Sequence, residues 1–491
     1  MRVHWVDILI LMLFVSGTVL FGITFVRKNK NVSDYTKGGG NIPGIVVGMS
    51  IFATYVSSIS FLGLPGNAYL GTWNAFVFSL SIPVASIIAA KYFVPFYRNI
   101  SSISAYSFLE ERFGYWARAY AAVCYLLTQV ARIGSVLFLL ALALHFMLGW
   151  SVASIIIVTG LLVVIYSVLG GIKAVIWTDA IQGFILIMGA IVSVVVLFIS
   201  LPGGVSQFFE VGKEFHKFSL GSFGGELNIP TFWVTLVYGI FINLQNYGID
   251  QNYIQRYKST KDVKSARFSA LFGGLIYLPV SLLFFIIGTA LFVYYQVQPG
   301  LLPENITGDQ VFPYFIVHGL PPGITGLLIA AIFSAGMSTV STSVNSSATI
   351  VLTDFFEHNE KVISEKKRMQ VLYITSLIFG LLGTGMGLAM MSVQSTLDAW
   401  WSLASLFSGG TLGLFLLGYM TKKTKRIPVF IGVLLGIALI FWISLSGQSL
   451  FHNYLAIVLG TILIFGVGFS VSYLFCCIQK FIFRGNSVKS Q

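Results

Sequence analysis

A run of hydroxyl side chains lies within a stretch that is otherwise typical of a membrane-spanning helix. The segment SAGMSTVSTSVNSS, residues 334–347, carries seven Ser and Thr hydroxyls from position 338 onwards. Hydrocarbon provides no water for such groups, so they must bond to other parts of the protein or to a ligand. Hydroxyl and carboxylate oxygens are the donors that a small, hard cation takes in place of its hydration shell. The segment therefore predicts a cation site; the alternative is helix–helix contact, where Ser and Thr are also common.

These hydroxyls have the spacing that a shared site requires. Ser338, Ser341 and Thr342 follow the i, i+3, i+4 pattern and share one helical face, with Thr339 beside it. Asp179, in the segment GGIKAVIWTDAIQG, is the clearest carboxylate inside an apolar run. A charge in that position is costly and is typical of a functional site. We predict that Asp179 is a cation ligand; a helix N-terminal acid and a proton carrier are the alternatives.

One basic residue, Arg132 in LLTQVARIGSVLF, lies near the middle of an apolar run. Its planar guanidinium matches a carboxylate through two parallel hydrogen bonds, so we predict that it binds an anionic substrate. The alternative is a structural ion pair, but few carboxylates lie inside apolar runs. Asp7, Asp250 and Asp398 fall near run ends, where we expect water to reach them.

Two apolar runs are interrupted by polar residues. The second run contains SIFATYVSSISFLGLPGNAYLG, in which hydroxyls precede Gly63, Pro65 and Gly66. The seventh ends in IFINLQNYGIDQNYIQRY, with amide side chains between Asn243 and Asn246. A helix interrupted inside the membrane frees backbone carbonyls, which are tolerated where they line a cavity or bind an ion. The interruptions are five runs apart, as expected of paired broken helices in an inverted five-plus-five repeat.

The composition is that of an integral membrane protein. Of the 491 residues, 56% are hydrophobic and 9% are charged, against about 25% charged in soluble domains. Thirteen runs approach the roughly 20 apolar residues that cross a bilayer, which predicts an all-α polytopic fold. The runs cover residues 5–26, 45–69, 73–97, 116–148, 151–169, 174–200, 230–250, 268–296, 321–354, 370–391, 397–420, 427–446 and 453–477. The sequence has no His/Glu metal-binding helix motif, so we do not expect an enzyme.

The net charge of +12 follows the membrane topology and does not indicate a nucleic-acid partner. With 13 runs, successive loops alternate sides; one set holds 23 of the 29 Lys and Arg, and the opposite set holds three. Basic residues concentrate on the cytoplasmic side of membrane proteins. We therefore predict a multi-pass cell-membrane protein with its N-terminus outside and its C-terminus in the cytoplasm. The basic loops are residues 27–42, 98–115, 170–173, 256–267, 356–369, 422–426 and the tail after 477.

The chain resembles the sodium:solute symporter family, whose members have a LeuT-type inverted-repeat fold. The resemblance is carried by SAYSFLEERFG, GGIKAVIWTDAIQG, DQNYIQRY and GLLIAAIFSAGMSTVSTSVNS, together with the 13-run layout. It implies a single transporter domain over residues 1–491, with one extra helix before the repeats and two after them. The divisions are 5–26 for the extra N-terminal helix, 45–200 and 230–420 for the two repeats, and 427–477 for the two C-terminal helices.

The resemblance implies that sodium is the coupling ion and that it has two sites, which predicts two ions per substrate. The first site, at the break in the second run, would use the carbonyls of Ala53, Val56 and Ala335 and the hydroxyls of Ser338 and Thr339. The second would be formed by Asp179, Ser338, Ser341 and Thr342. The carboxylate and all the hydroxyls that these sites require are present.

Within the family, Arg132 makes the chain most similar to the bacterial sialic-acid symporters. In that subgroup, the arginine at the matching position is expected to hold the sugar carboxylate. The resemblance implies import of an acidic sugar, N-acetylneuraminate. Where that subgroup can present Thr, Phe and Gln, this chain has Tyr55, Ala75 and Ser79, so we expect a pocket of altered shape. The predicted substrate-binding residues are Arg132, Ser57, Ser60, Tyr55, Ser79, Gln245 and Asn246.

Other classes of membrane protein fit the sequence less well. A sodium- or proton-coupled symporter for another sugar or a monocarboxylate is the nearest alternative. A channel would need rings of like residues or a filter loop, and the sequence has neither. The expected partners are the acidic sugar and membrane lipid, with no nucleic acid and no obligate protein partner.

Overall fold

The computed structural model describes residues 4–24, 31–304, 306, 308–359, 364–393, 396–421, 424–445 and 450–488. The regular secondary structure of these residues is helical. The first ten helices are α1 (Trp5–Thr24), α2 (Val32–Lys37), α3 (Gly44–Tyr55), α4 (Leu64–Leu70), α5 (Phe76–Ile88), α6 (Val94–Asn99), α7 (Ser107–Phe113), α8 (Tyr115–Leu148), α9 (Val152–Ser200) and α10 (Gly204–Glu214). The others are α11 (Phe232–Ile249), α12 (Gln251–Ser259), α13 (Val263–Val297), α14 (Val311–His318), α15 (Ile324–Ile350), α16 (Glu357–Asn359), α17 (Glu365–Ala389), α18 (Thr396–Phe407), α19 (Thr411–Met420), α20 (Arg426–Leu445) and α21 (Leu455–Val488).

The helices account for the predicted membrane spans. Within the described residues, nine helices are long and apolar enough to cross a membrane, or up to 11 if each of two bent pairs is one span. The two remaining predicted runs are also helical: run 151–169 lies in the first part of α9, and run 230–250 coincides with α11. Gly171, with φ 59° and ψ −178°, divides α9 at the predicted boundary between two runs. Glycine adopts this positive φ without the steric penalty of a Cβ atom.

Side chains at the helix starts fix several boundaries. Thr231 accepts the N–H of Val234 at the start of α11, and Asp262 accepts the N–H of Ser265 at the start of α13. Each bond satisfies one of the N–H groups that have no partner inside a helix. Local sequence chemistry therefore sets where these long apolar helices begin.

The predicted break in the second run is present. Helix α3 ends at Tyr55, Val56 adopts an extended ψ of 112°, and a π-helical turn, Ile59–Gly63, leads into α4. The two halves of the span are bent by 57°. The last carbonyls of a helix have no partner within it, so this break places backbone oxygens in the interior of the protein.

The predicted interruption of the seventh run is wrong in position. Helix α11 runs without a break to Ile249, and the break falls at Asp250, which has an extended ψ of 127°. The amide residues upstream stay helical; Asn243, for example, bonds through its side chain to a neighbouring helix, with Nδ2 donating to Ser81 Oγ at 2.8 Å.

A further bend was not anticipated. Helices α18 and α19 are bent by 46°, with Gly409 and Gly410 at φ 54° and 63° between them. Their positive φ angles are the local reason for the bend.

The hydroxyl-rich helix α15 lies at the centre of the fold. It packs against α1, α3, α8 and α9, and residues 328–350 are all buried. A helix that is buried on every side has no solvent-facing surface on which polar residues are neutral. Its hydroxyls therefore bond within the protein or face a site.

The first helix is attached to α15 through Asp7. Asp7 Oδ1 accepts the N–H groups of Gly323 and Gly326 at 2.7 and 2.8 Å. A Cβ at Gly326 would lie 2.6 Å from Asp7 Cα, so only glycine permits this approach. Asp7 is 2% exposed, which corrects the expectation that water reaches it. The carboxylate interacts with the positive N-terminal end of α15.

We expect Asp7→Ala to destabilise the protein by about 1–2 kcal/mol, the usual effect of losing an N-terminal helix cap. The measurement is the thermal unfolding midpoint in detergent. Asp7→Asn is the matched control, because its amide oxygen still accepts hydrogen bonds, and it should lose less. An Asp7→Ala variant with an unchanged midpoint would contradict this role.

Candidate functional site

A cavity lies between the broken α3–α4 span, α8, α11 and α18. It encloses about 1010 Å³, including its open mouth. Six of the seven predicted substrate-binding residues line it. They are Tyr55, Ser57, Ser60, Arg132, Gln245 and Asn246. The structure therefore brings together residues that lie far apart in the sequence.

Arg132 reaches the cavity from α8 and is 9% exposed. Its Nη2 donates to the carbonyl of Thr54 at 2.6 Å, one of the oxygens released at the end of α3. No salt bridge joins Arg132 to a carboxylate in the part of the chain that the structure describes. The guanidinium is held by a neutral acceptor, which leaves its charge available to an anion in the cavity.

Ser79 does not line the cavity. Its Oγ lies 2.7 Å from Ser281 Oγ, and both serines are hydrogen-bonding neighbours of Tyr277, which lines the cavity. Tyr55 contacts the same ring with 4.6 Å between centroids, and its hydroxyl donates to the side chain of Asn243. A tyrosine pair therefore forms the wall where the sequence departs from the sialic-acid subgroup.

Aromatic residues that the sequence did not single out form another wall. Phe78 stacks on Trp401 with centroids 5.0 Å apart, and Tyr238 stacks on Tyr454 at 4.7 Å. Phe78, Trp401 and Tyr238 line the cavity. In a chain with 43 Phe, 22 Tyr and 9 Trp, no spacing separates these rings from ordinary core aromatics.

The residues of the predicted first sodium site lie around the break in α3. Helix α3 and the π-helical turn after it both contact α15, so the released carbonyls lie beside the hydroxyl-rich helix. Thr339 Oγ1 donates to Ala335 O at 3.1 Å. The five predicted ligands are all buried. They are Ala53, Val56, Ala335, Ser338 and Thr339.

The predicted second sodium site is a network centred on Asp179. Asp179 Oδ2 accepts from Ser50 Oγ at 2.9 Å and from Thr342 Oγ1 at 3.4 Å. Ser341 Oγ donates to Ser338 O at 3.1 Å. Asp179 is fully buried and lies inside α9, eight residues beyond the division at Gly171, so it is not the acid of a helix N-terminus. The carboxylate instead lies at the contact between helices.

Arg256 is an unexpected member of this network. Its Nη2 forms a salt bridge with Asp179 Oδ2 at 2.6 Å and donates to Thr342 Oγ1 at 2.7 Å, and its Nε donates to Ser50 Oγ at 2.8 Å. The sequence places Arg256 in a basic loop, but its side chain is fully buried. The guanidinium thus bonds to the oxygens that the prediction assigns to a cation.

Two oxygens of this network are buried without a hydrogen bond of standard geometry among the described residues: Asp179 Oδ1 and Ser338 Oγ. The two side chains lie next to each other. An unsatisfied buried polar group is destabilising by about 1–3 kcal/mol. A carboxylate and hydroxyls with unused lone pairs are suitable donors for Na⁺, so the residues fit the ion that the sequence predicts.

Asp309 lies outside the membrane-spanning helices and contacts α18, a helix that lines the cavity. Its Oδ2 accepts the N–H of Thr396, the first residue of α18, at 3.2 Å. Burial raises the pKa of Asp309 to about 6. The folded protein therefore holds this proton more tightly than the unfolded chain between about pH 4 and pH 6. Above pH 6 the buried charge lowers the stability of the fold.

We expect Asp309→Asn to raise the unfolding midpoint at pH 7.5, because the neutral amide avoids the buried charge. The gain should correspond to at most about 3 kcal/mol and should disappear as the pH falls below about 4, where both side chains are neutral. Thermal unfolding in detergent across this pH range measures it. A midpoint at pH 7.5 that is equal to or below that of the wild type would contradict the assignment.

Such a site defines a class of protein, the ion-coupled secondary transporters. The fixed cation Arg132 faces a cavity that can hold a solute, and the same helix bundle contains buried oxygens around Asp179 that are suited to bind a cation. Residues 35–436 match the model of the Sodium:solute symporter family, and the chain belongs to that family. Sodium is its coupling ion, and the protein is a transporter, not an enzyme.

Curated relatives cover most of the chain. The sodium/sialic acid symporter NanT of Aliivibrio fischeri is 32% identical over 466 residues, which is 94% of this chain and 92% of that protein. The sodium/sialic acid symporter SiaT of Proteus mirabilis is 32% identical over 89% of this chain and 90% of its own length. The human sodium-coupled monocarboxylate transporter 1 is 28% identical over 89% of this chain and 72% of its own length.

Solved structures agree on the fold. A substrate-bound, outward-open Na⁺-coupled sialic acid symporter, described as revealing a novel Na⁺ site, superposes with a TM-score of 0.90 at 29% identity and covers 96% of this chain and 98% of that one. Mhp1, a nucleobase-cation-symport-1 family transporter in a closed conformation with bromovinylhydantoin bound, has a TM-score of 0.61 at 16% identity over 89% of this chain and 93% of that one. The predicted all-α fold of LeuT type, with one helix before the repeats and two after them, is confirmed.

Proposed function

We propose that the protein imports an acidic sugar, N-acetylneuraminate, together with two sodium ions. The observation that carries this proposal is Arg132, a buried guanidinium that lines the cavity without a carboxylate partner among the described residues. A cavity that holds an unpaired cation favours an anion, and a carboxylate fits the guanidinium geometry. The names of the two relatives that are 32% identical support a sialic acid as that anion.

In this proposal the substrate carboxylate docks on Arg132, and the hydroxyls of Ser57 and Ser60 contact the same end of the sugar. Tyr55, Gln245 and Asn246 contact its remaining polar groups. Ser79 acts through Tyr277, since it is a hydrogen-bonding neighbour of that side chain and does not line the cavity. The resulting pocket combines aromatic and aliphatic side chains with polar groups at fixed points, as is usual for a small-molecule site.

The two ions bind on either side of Ser338. One is held by the carbonyls of the α3 break, Ala335 and the hydroxyls of Ser338 and Thr339. The other is held by Asp179 with the hydroxyls of α15. Since Arg256 bonds to Asp179 Oδ2, the second ion competes with this guanidinium for the carboxylate.

Competition at Asp179 provides a route from ion to substrate. Arg256 lies on α12, a helix that begins directly after Asp250, and Asp250 lines the substrate cavity. Release of the guanidinium would free α12 from α3, α9 and α15 at this point. Sodium then shifts the population towards the arrangement that binds substrate, because it interacts differently with the two states.

Energetics favour two ions over one. A tenfold sodium gradient supplies about 1.4 kcal/mol per ion, and a potential of about 100 mV adds roughly 2.3 kcal/mol per net charge. One sodium with a monoanion moves no charge and concentrates the substrate only about tenfold. Two sodium ions supply about 5 kcal/mol, enough for accumulation of several thousandfold.

The experiment is uptake of labelled N-acetylneuraminate into proteoliposomes, with sodium or potassium outside and with the charge moved per substrate recorded. The proposal predicts sodium-driven uptake that carries one net positive charge per sugar. Electroneutral uptake would contradict the stoichiometry. Uptake driven by a pH gradient alone would favour proton coupling, and sodium-driven uptake of labelled propionate without uptake of N-acetylneuraminate would favour a monocarboxylate substrate.

The membrane arrangement is part of the same proposal. Apolar helices and relatives establish a multi-pass membrane protein. We infer from the basic loops that the N-terminus lies outside and the C-terminus in the cytoplasm, with repeats at 45–200 and 230–420. Exposed apolar side chains such as Phe184 and Leu382 would contact membrane lipid.

A further inference from the structure

We propose that Asp250 determines substrate specificity, by selecting acids that carry hydrogen-bond donors at a distance from their carboxylate. The inference rests on the proposed function, since it concerns the same cavity. It assigns a role to a carboxylate that the sequence places at a run end, within reach of water. In the structure Asp250 lines the cavity and is 8% exposed.

Asp250 and Arg132 give the cavity two opposite charges that do not pair. Both side chains line it and both are buried. They are close enough to interact electrostatically, yet no salt bridge joins them in the described part of the chain. Arg132 donates instead to the Thr54 carbonyl. Each charge therefore remains available to a different part of a ligand.

The Asp250 carboxylate is held firmly in position. Its Oδ1 accepts the N–H of Asn252 at 2.7 Å and so caps α12, and its own N–H donates to Gln245 O at 3.1 Å. The side chain of Asn252 also forms a hydrogen bond with this carboxylate. An ionised carboxylate has about four acceptor sites, so these bonds leave acceptor capacity unused, and at the cavity wall a further donor has to come from the ligand or from water.

This geometry discriminates between classes of acid. A polyhydroxylated or amide-bearing acid can place its carboxylate on Arg132 and a hydroxyl or N–H on Asp250. A small monocarboxylate supplies no donor, and its negative charge is repelled by Asp250 when it moves away from Arg132. Sites built to bond a donor reject analogues that lack it, because the buried polar group is left without a partner.

The test compares the binding of N-acetylneuraminate and propionate, in sodium, to the wild type and to Asp250→Asn by titration calorimetry. Asparagine keeps the oxygen that caps α12 and removes the charge. We expect the affinity for N-acetylneuraminate to fall about 10- to 100-fold, the range for a hydrogen bond to a charged group, and the affinity for propionate to stay equal or rise. Asp262→Asn, at the equivalent cap of α13 away from the cavity, is the matched control and should change neither affinity.

An equal loss for both acids would show that Asp250 only maintains the fold, and an absence of loss would show that it only caps α12; either result overturns the proposal. If the wild type binds no N-acetylneuraminate in sodium, the proposed function fails. Asp250 is then judged on whichever of glucuronate, lactate and propionate binds best. The proposal is overturned if that acid lacks a hydrogen-bond donor at a distance from its carboxylate or if Asp250→Asn leaves its affinity unchanged. It is also overturned if none of the acids binds.

Discussion

Arg132→Ala is expected to abolish uptake of an acidic sugar while sodium binding is retained. The guanidinium is the cation that faces the cavity in the described structure, and removal of one partner from a buried charge pair costs about 2–5 kcal/mol. That range corresponds to a loss of substrate affinity of roughly 30-fold to several thousandfold. Equilibrium binding of labelled N-acetylneuraminate in saturating sodium measures it directly.

Two further variants distinguish binding of the substrate carboxylate by the Arg132 guanidinium from the loss of one positive charge alone. Arg132→Lys keeps the charge but loses the two-pronged geometry, so it should retain part of the affinity. Lys91→Ala removes one positive charge from an exposed position and should leave affinity unchanged. The interpretation is wrong if Arg132→Ala binds the sugar as tightly as the wild type, or if the loss is no larger than that of Lys91→Ala.

Ser338→Ala is expected to have the second-largest effect, because Ser338 belongs to both predicted ion sites. Its hydroxyl is buried beside Asp179 and lacks a standard hydrogen bond among the described residues, which leaves its lone pairs for an ion. Loss of one such oxygen should raise the half-saturating sodium concentration about 10- to 100-fold. The sodium dependence of uptake should also become less steep, since two ions are affected.

Ser343→Ala is the matched control for this measurement. Ser343 lies on the same helix, is fully buried and likewise has no hydrogen bond to its hydroxyl in the described part of the chain, but it is not a predicted ligand. Its replacement should leave the sodium dependence as in the wild type. Equal shifts in the two variants would indicate packing along α15 and not ion binding at Ser338.

Much of this architecture can be predicted from local sequence patterns. Apolar runs predict the spans because the bilayer imposes their length, and the i, i+3, i+4 spacing predicts the hydroxyl face of α15. Gly63, Pro65 and Gly66 predict a break within this run because they weaken helical structure, but these residues are helical and the observed break lies upstream of them, at Val56. Arg132 is predictable as a functional residue because a basic side chain in the middle of an apolar run is rare and costly.

The rest depends on contacts between distant segments. Arg256 was assigned to a basic loop because α12 is polar in sequence, yet all nine of its residues are buried. Its role as the partner of Asp179 depends on α12 folding inward against α3 and α15, which composition cannot reveal. Asp250 falls at the predicted end of the seventh run, residue 250, where the sequence suggests contact with water; its burial in the cavity likewise depends on how α12 packs.

The most direct test of the account is the affinity for N-acetylneuraminate of the purified protein in sodium and in potassium at equal ionic strength. If ions at the α3 break and at Asp179 prepare the cavity, sodium should raise the affinity by at least about tenfold, and Ser338→Ala should lose most of that gain. Equal affinities in the two salts would contradict the coupling of the ion sites to Arg132.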